Sequence, residues 1–184
     1  MNRFLKTDIY ISEIFKVEED HHTRFDAISR EYKYYVSQEK LPFFSPISYH
    51  FYGDLDIELM NKACDILFEY EDFTSFSKLH TQTKTNNCKI IKAHWTKSNG
   101  LLVFTIEADR FLRNMVRAIT GTMLSIGQGK LTLSEFRHII ESKDRSKAGF
   151  SVPGNALFLH EVKYPQSILQ YKKNKGLAQD MPFN

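Results

Sequence analysis

The chain has 184 residues, enough for one domain with a substantial apolar core. Hydrophobic residues make up 42% of the chain and aromatic residues 14%, which excludes an intrinsically disordered protein. The net charge of +3 is small, so a nucleic-acid-binding role has to depend on local clusters of basic residues. Cys64 and Cys88 fit neither a zinc site nor a disulfide framework, and no apolar run has the length of about 18 residues that spans a membrane. We therefore expect a soluble cytoplasmic protein.

The first part of the chain predicts two strands, a connection and a helix. Alternating side chains predict strands over residues 9–17 and 30–38, with a polar break between them. Residues 40–52 contain two prolines, and we expect an irregular but ordered connection there. Apolar residues at helical spacing predict a helix that begins near Asp56, with Asp54 or Asp56 as its cap.

The middle of the chain predicts a turn, a loop and a hairpin. Residues 71–76, EDFTSF, predict a compact aromatic turn, and the polar residues 77–88 predict an exposed, mobile loop. The strands predicted over 89–97 and 101–108 form a hairpin, joined through Ser98, Asn99 and Gly100. Both faces of the second strand are apolar, so we expect it to lie in the middle of a sheet.

The last third of the chain predicts two helices and a strand. A long helix is predicted over 109–130 and a shorter one up to Ser142, whose start carries the capping-box pair Thr132 and Glu135. The basic loop 143–155 lacks the pattern of a phosphate-binding P-loop. Residues 156–164 predict a last strand, and the tail beyond Pro165 a surface segment. Strand pairs with intervening helices predict an α+β fold, with a mostly antiparallel sheet and helices packed on one face.

The predicted helix 109–130 has two different faces. At about 100° per residue, one face is an apolar stripe of core type, made of Leu112, Met115, Val116, Ile119, Met123 and Ile126. The other face carries Arg110, Asn114, Arg117 and Gly121, with Arg113 at its edge. A glycine inside a helix costs about 1 kcal/mol relative to alanine, so a packing or ligand reason is expected for Gly121. A solvated basic face at a helix crossing and a ligand-binding face are both compatible with this spacing.

Two other groups of residues allow functional and structural interpretations. Tyr32 and Tyr34 fall on one face of the predicted strand 30–38, and such aromatic residues, interleaved with lysines, either stack on bases or pack across strands. The adjacent His21 and His22 diverge in most backbones, which makes them a poor metal site. An acid/base hydrolase that uses these histidines with Asp20 or Asp26 is a remote alternative.

Four blocks in one order carry a family resemblance. They are HHTRFDAISREYKYYV, EDFTSF, FLRNMVRAITGTM and RSKAGFSVPGNALFL. The chain resembles the C-terminal part of the tRNA pseudouridine synthase A (TruA) family from Met1 to about Pro165. The resemblance implies a pseudouridine synthase-like fold, with residues 1–165 as a catalytic and RNA-binding domain and 166–184 as a tail. It implies isomerisation of uridines in the anticodon stem-loop of tRNA, without cofactor or metal, by a cytoplasmic homodimer with tRNA as its partner.

The resemblance also assigns roles to single residues. Tyr32 matches the tyrosine that contacts the target base, and Arg117 matches the arginine that pairs with the catalytic aspartate. Leu157 matches an apolar residue that lines the base pocket. Phosphate contacts are expected from Arg110, Arg113 and Lys147.

The family's catalytic block, R-T-D-x-G-V-H, has no match in this sequence. We therefore expect the chain to be the C-terminal part of a longer enzyme and to be inactive by itself. An RNA-binding module without catalysis of its own is the alternative. The chain also departs from the family pattern at His21 and Thr23, where Phe and Ala are usual, and at Cys88, often an arginine. A further departure is Ala156, where Gly is usual.

Overall fold

A five-stranded sheet forms the centre of the protein. The structure is a computed structural model that describes residues 1–78 and 85–168. Its strands are β1 (Ser29–Ser37), β2 (Tyr49–His50), β3 (Ile90–Ser98), β4 (Leu101–Ala108) and β5 (Leu157–Lys163). The strand β4 pairs antiparallel with β1 on one side and with β3 on the other. The far side of β1 pairs with β5 and, over two residues, with the parallel strand β2.

Three α-helices accompany the sheet in the described part of the chain: α1 (Ile57–Leu67), α2 (Met115–Gly127) and α3 (Leu133–Ser142). The helices α1 and α2 pack on the sheet face that carries Trp95, whose backbone bonds to the Asn61 side chain and whose indole donates to Met123 Sδ. The core between the layers includes Tyr34, Phe104 and Met123, all fully buried. The predicted α+β fold with a mostly antiparallel sheet is confirmed.

Local sequence signals specify several of these elements. Asn99 and Gly100 both have positive φ, as a two-residue hairpin turn requires, and they join β3 to β4. Every residue of β4 is buried, as expected for a central strand. Thr132 and Glu135 form the predicted capping box at the start of α3.

The strand predicted over residues 9–17 is wrong. These residues form no strand, and Ile9, Tyr10 and Ile14 are each more than half exposed. An alternating pattern makes a strand only where a neighbour offers backbone hydrogen bonds. The free side of β1 pairs instead with β5 and β2. The two-residue strand β2 within the connection 40–52 is an element that the sequence did not predict.

The predicted helix 109–130 begins later than expected. Residues before Met115 are not helical, and Asn114 has a φ of 72°, in the left-handed region that stops a right-handed helix. Arg110 and Arg113 therefore lie on the connection before α2, not on a helix face with Arg117. The predicted exposed loop 77–88 is also partly wrong, because Ser77 and Cys88 are buried; its residues 79–84 lie outside the described part.

The chain divides into two compact units, which we treat separately. The first unit comprises Met1–Ile28 and the residues from Lys163 onward, and the second comprises Ser29–Val162. Within the first unit, the Ile28 amide donates to the Lys163 carbonyl at 2.7 Å and the Tyr164 hydroxyl donates to the Thr23 carbonyl at 2.8 Å. No helix among residues 1–78 and 85–168 combines the length and the apolar character needed to cross a membrane.

Candidate active site

Arg117 lies in the first turn of α2, and its guanidinium is held by the loop before β5. Its Nε donates to the Val152 carbonyl at 2.6 Å, and the Val152 amide donates back to the Arg117 carbonyl at 3.3 Å. Within the described residues that carbonyl is the one hydrogen-bond acceptor of the guanidinium, and no carboxylate lies within ion-pair distance. Both terminal nitrogens are thus available to a carboxylate, in the forked geometry that suits one.

Small residues of α2 let this loop lie directly on the helix. A Cβ atom on Gly121 would lie only 1.9 Å from the Phe150 carbonyl oxygen. One residue earlier, the Gly149 amide donates to Thr122 Oγ1 at 2.9 Å. Gly121 is therefore explained by close approach of a loop, whereas the sequence suggested a helix crossing or a ligand. The face is also not solvated, because Thr120, Gly121 and Thr122 are buried.

A second set of hydrogen bonds holds the same loop at Ser151 and Gly149. The Asn114 side chain donates to Ser151 Oγ at 2.6 Å, and Arg145 donates to the same oxygen at 2.8 Å. Arg145 also donates to the Gly149 carbonyl at 3.2 Å. The left-handed conformation of Asn114 thus directs its amide at a residue of the loop, so the start of α2 and the loop position each other. Sequence reasoning missed these contacts.

Tyr34 binds the carbonyl of Pro153, the residue after Val152, whose carbonyl binds Arg117. Its hydroxyl donates to the Pro153 carbonyl at 2.8 Å, and the side chain is fully buried. Burial raises the pKa of Tyr34, and the nearby positive charge of Arg117 only partly opposes this. The phenol is therefore neutral at any physiological pH. The available signal for Tyr34 was that it shares a strand face with Tyr32.

Tyr32 lies two residues before Tyr34 on the same face of β1. Its ring meets Phe111 edge to face, with centroids 5.2 Å apart and an interplanar angle of 88°. The side chain is half-buried against the core, opposite Ile106 of β4. Tyr34 and Arg117 thus bind neighbouring carbonyls of one loop, those of Pro153 and Val152. The contact with Phe111 and the core packing leave the Tyr32 side chain partly exposed.

The other predicted site residues are Leu157 and three cations. Leu157 begins β5 and is half-buried against the core. Leu157 lies three residues after Gly154. A Cβ atom added to Gly154 would lie 3.8 Å from Arg117 Cζ. Arg113 and Lys147 are exposed and Arg110 is half-buried. No hydrogen bond or ion pair between described residues joins these three cations to Arg117.

Two aspartates of the chain, Asp109 and Asp26, have structural partners. Asp109 Oδ1 accepts from the backbone amides of Lys89 and Arg110, each at 2.7 Å. Asp26 Oδ2 accepts from the His22 amide at 2.9 Å and contacts His21 Nδ1 at 3.1 Å. Neither is arranged as a nucleophile. In the described ranges no three His, Cys, Asp or Glu side chains form a group that could hold a metal.

Comparison with known proteins gives a consistent result. A family model described as tRNA pseudouridine synthase matches residues 70–165. The chain is 58% identical over 168 residues to tRNA pseudouridine synthase A of Parabacteroides distasonis, a match that covers 91% of this chain and 67% of the relative. It is 56% identical over 180 residues to the enzyme of that name from Bacteroides thetaiotaomicron, covering 96% and 67%. For the one from Bacillus subtilis, the identity is 36% over 166 residues, covering 89% and 67%.

Proposed function

Because the chain belongs to the tRNA pseudouridine synthase family, we propose that it takes part in converting uridine to pseudouridine in the anticodon stem-loop of tRNA. In this isomerisation the N1–C1′ glycosidic bond breaks and a C5–C1′ bond forms, while N1 gains a proton and the proton on C5 passes to solvent. The uracil ring is neither oxidised nor reduced. No cofactor is needed to balance the reaction, and we propose that none is used.

The observation that carries the proposal is the fixed, half-buried guanidinium of Arg117. The Nε of Arg117 is bound to the Val152 carbonyl. The two terminal nitrogens of the guanidinium remain as a fork of donors. We propose that this fork holds the nucleophilic aspartate, because a permanent positive charge keeps a carboxylate ionised and orients it. A nucleophile has to be ionised and oriented before it attacks the sugar or the base. The packing of α2 against the sheet makes the position of Arg117 rigid.

Tyr32 and Leu157 are proposed to receive the target base. A base inside a stem or a stacked loop has to leave its neighbours before chemistry, which costs a few kcal/mol. Stacking on an aromatic ring returns about 1–3 kcal/mol per base. Tyr32 suits this role because its ring is partly exposed and is held edge to face by Phe111. The apolar side chain of Leu157 would exclude water, which strengthens the neighbouring ion pair.

The exposed cations are proposed to bind the tRNA backbone. Arg113 and Lys147 are exposed on loops, and Arg110 lies two residues after the end of β4. Contacts of this type provide affinity and register but no sequence information. The uridine that is modified is then selected by the base-binding residues and by the shape of the tRNA.

The nucleophilic aspartate is proposed to lie outside this sequence. The block R-T-D-x-G-V-H has no match here, and the chain covers 67% of the length of the relatives compared. A binding module without catalysis is the second candidate, and this same observation favours it. In the proposal, residues 1–165 supply Arg117, Tyr32 and the RNA-binding surface to an active site that the aspartate completes.

Release of tritium tests the proposed reaction. tRNA labelled with tritium at uridine C5 loses the label to water when C5–C1′ forms. We expect no release by the chain alone. We expect catalytic release when the chain is joined to a segment from a relative that carries R-T-D-x-G-V-H. If the joined protein binds tRNA but releases no tritium, the binding module is supported and the isomerase is rejected. If the chain alone is active, a nucleophile within it was missed, and Asp26 and Asp109 are the first residues to replace.

The homodimer and the cytoplasmic location also stay predictions. Light scattering coupled to size-exclusion chromatography measures the mass of the particle in solution and tests the dimer. Fractionation of cells that express a tagged protein tests the location.

A further inference from the structure

The turn over residues 21–26 in the first unit presents an exposed aromatic ring. Phe25 is 74% exposed, although two neighbours contact its ring. The His22 ring lies against it, with centroids 4.4 Å apart and an interplanar angle of 39°. The guanidinium carbon of Arg24 lies 5.6 Å from the centroid of the Phe25 ring. The three side chains together form what we call the aromatic platform.

From this arrangement we propose that the aromatic platform is a binding site for an unpaired base of RNA. The exposed Phe25 ring would stack on the base, and Arg24 would bind the adjoining phosphate. The inference rests on the proposed function for the identity of the RNA, and it adds to that function an RNA contact made by the first unit.

The turn holds the platform in one conformation before any ligand arrives. The Asp26 carboxylate accepts from the His22 amide at 2.9 Å and contacts His21 Nδ1 at 3.1 Å. The amides of Phe25 and Asp26 donate to the His22 carbonyl, and the Arg24 amide donates to His22 Nδ1 at 3.0 Å. The bond from the His22 amide, and after it the contact with His21, lower the pKa of Asp26, so its carboxylate stays ionised near neutral pH. A preformed site loses less entropy when it binds.

A hollow of about 230 Å³ borders the platform within the same unit. His22 lines both, and the other walls are mainly carbon-rich, with Phe15, Val17, Tyr164 and Ile168 among them. Its lining also includes polar groups that have partners, among them Asp26, which contacts His21, and the Tyr164 hydroxyl, which donates to the Thr23 carbonyl. An aromatic ring beside a carbon-lined hollow suits the flat, apolar face of a base.

The chemistry favours RNA over a protein as the partner. Bases have a π-face that stacks on any aromatic ring, and every nucleotide brings a phosphate that complements an arginine. A single phenylalanine flanked by a cation provides both contacts at once. If a second copy of the chain covers the platform instead, the mass of the particle in solution shows it.

The test compares four variants in RNA-binding assays. Phe25→Leu removes the aromatic ring, Phe25→Trp keeps one, and Arg24→Gln removes the charge. Phe43→Leu is the matched control, since Phe43 is 96% exposed on another loop. Fluorescence anisotropy measures the Kd for two probes at several salt concentrations: a tRNA anticodon stem-loop and single-stranded oligouridylate. The mass of each variant in solution is measured in parallel.

We expect Phe25→Leu to weaken binding of both probes by about five-fold or more, the equivalent of one stacked base. Phe25→Trp and Phe43→Leu should stay within about two-fold of the original chain, a change smaller than the loss of one stacked base. Arg24→Gln should reduce the slope of log Kd against log salt by about 0.7, the value for one phosphate of a single strand. Phe25→Leu should leave that slope unchanged.

The outcomes separate this inference from the proposed function. If the chain binds tRNA and Phe25→Leu binds as well as Phe43→Leu, the platform is rejected and the proposed function stands. If oligouridylate binds through Phe25 while the stem-loop does not bind, the platform stands and the tRNA assignment fails. Binding of neither probe overturns both. A change of oligomeric mass in Phe25→Leu without a change in RNA affinity overturns the platform in favour of a protein interface.

Discussion

Replacing Gly121 with alanine should disturb the loop that holds Arg117. The new Cβ would lie 1.9 Å from the Phe150 carbonyl oxygen, whereas an ordinary contact needs about 3.5 Å. The obstructing atom belongs to the backbone, so the loop has to move by about 1.6 Å, the difference between these distances. Such a shift breaks the 2.6 Å bond between Arg117 Nε and the Val152 carbonyl or strains the helix.

The net cost follows from opposing contributions. Loss of a hydrogen bond to a charged group costs about 1.5–3 kcal/mol, and loss of a neutral one, such as that from the Gly149 amide to Thr122, about 0.5–1.5 kcal/mol. Alanine gains about 1 kcal/mol over glycine in a helix. We therefore expect Gly121→Ala to lower the free energy of unfolding by about 2 kcal/mol. Misplacement of Arg117 by about 1 Å should also reduce kcat by about 100-fold in an active enzyme.

Urea unfolding, followed by the fluorescence of Trp95, measures the stability. Gly127→Ala is the matched control, because it makes the same change in the same helix. Its Cβ would meet Met60 Sδ at 2.5 Å, and a flexible methionine side chain can move aside. The reasoning is refuted if Gly121→Ala unfolds at the same or a higher urea concentration than both the original chain and the control.

Three further changes test other parts of the account. Tyr34→Phe removes the hydroxyl bond to Pro153 and should cost about 1 kcal/mol; in active enzyme kcat should fall while KM is unchanged, and a changed KM alone would contradict the role. Glu135→Gln should flatten the pH dependence of urea unfolding on the acid side. The bond from the Thr132 amide lowers the pKa of Glu135. The stability that the ionised Glu135 carboxylate adds is therefore complete above the ordinary pKa of Glu, and it is lost as the pH falls through the lowered pKa. The same pH dependence of urea unfolding in Glu135→Gln and in the original chain would contradict this. Lys147→Gln should reduce the salt slope of tRNA binding by about 0.9 if it contacts one phosphate, and an unchanged slope removes it from the interface.

Elements with strong local signals could be predicted from the sequence. The run of apolar residues in β4 and the Asn99–Gly100 turn specify the hairpin by themselves. The capping box of Thr132 and Glu135 likewise sets the start of α3 without distant contacts. In each case the residues that determine the structure lie within a few positions of one another.

The start of α2 depends on residues distant in the sequence and could not be predicted in this way. Asn114 is left-handed, and its side chain bonds to Ser151, 37 positions later. The strand predicted over 9–17 failed for a related reason, since pairing depends on which neighbours a strand finds. The contact between Tyr34 and Pro153 spans 119 positions, so periodicity placed Tyr34 on the right face without showing its partner.

The most direct test of the central claim is the turnover of an Arg117→Lys enzyme, measured by tritium release from C5-labelled tRNA with the catalytic aspartate present. Lysine keeps the charge but loses the planar fork and the bond to the Val152 carbonyl. We expect kcat to fall by about 100-fold or more, while the Kd for tRNA changes by less than about three-fold. A variant that turns over at nearly the original rate would contradict the account, because the orientation of the aspartate would then not depend on Arg117.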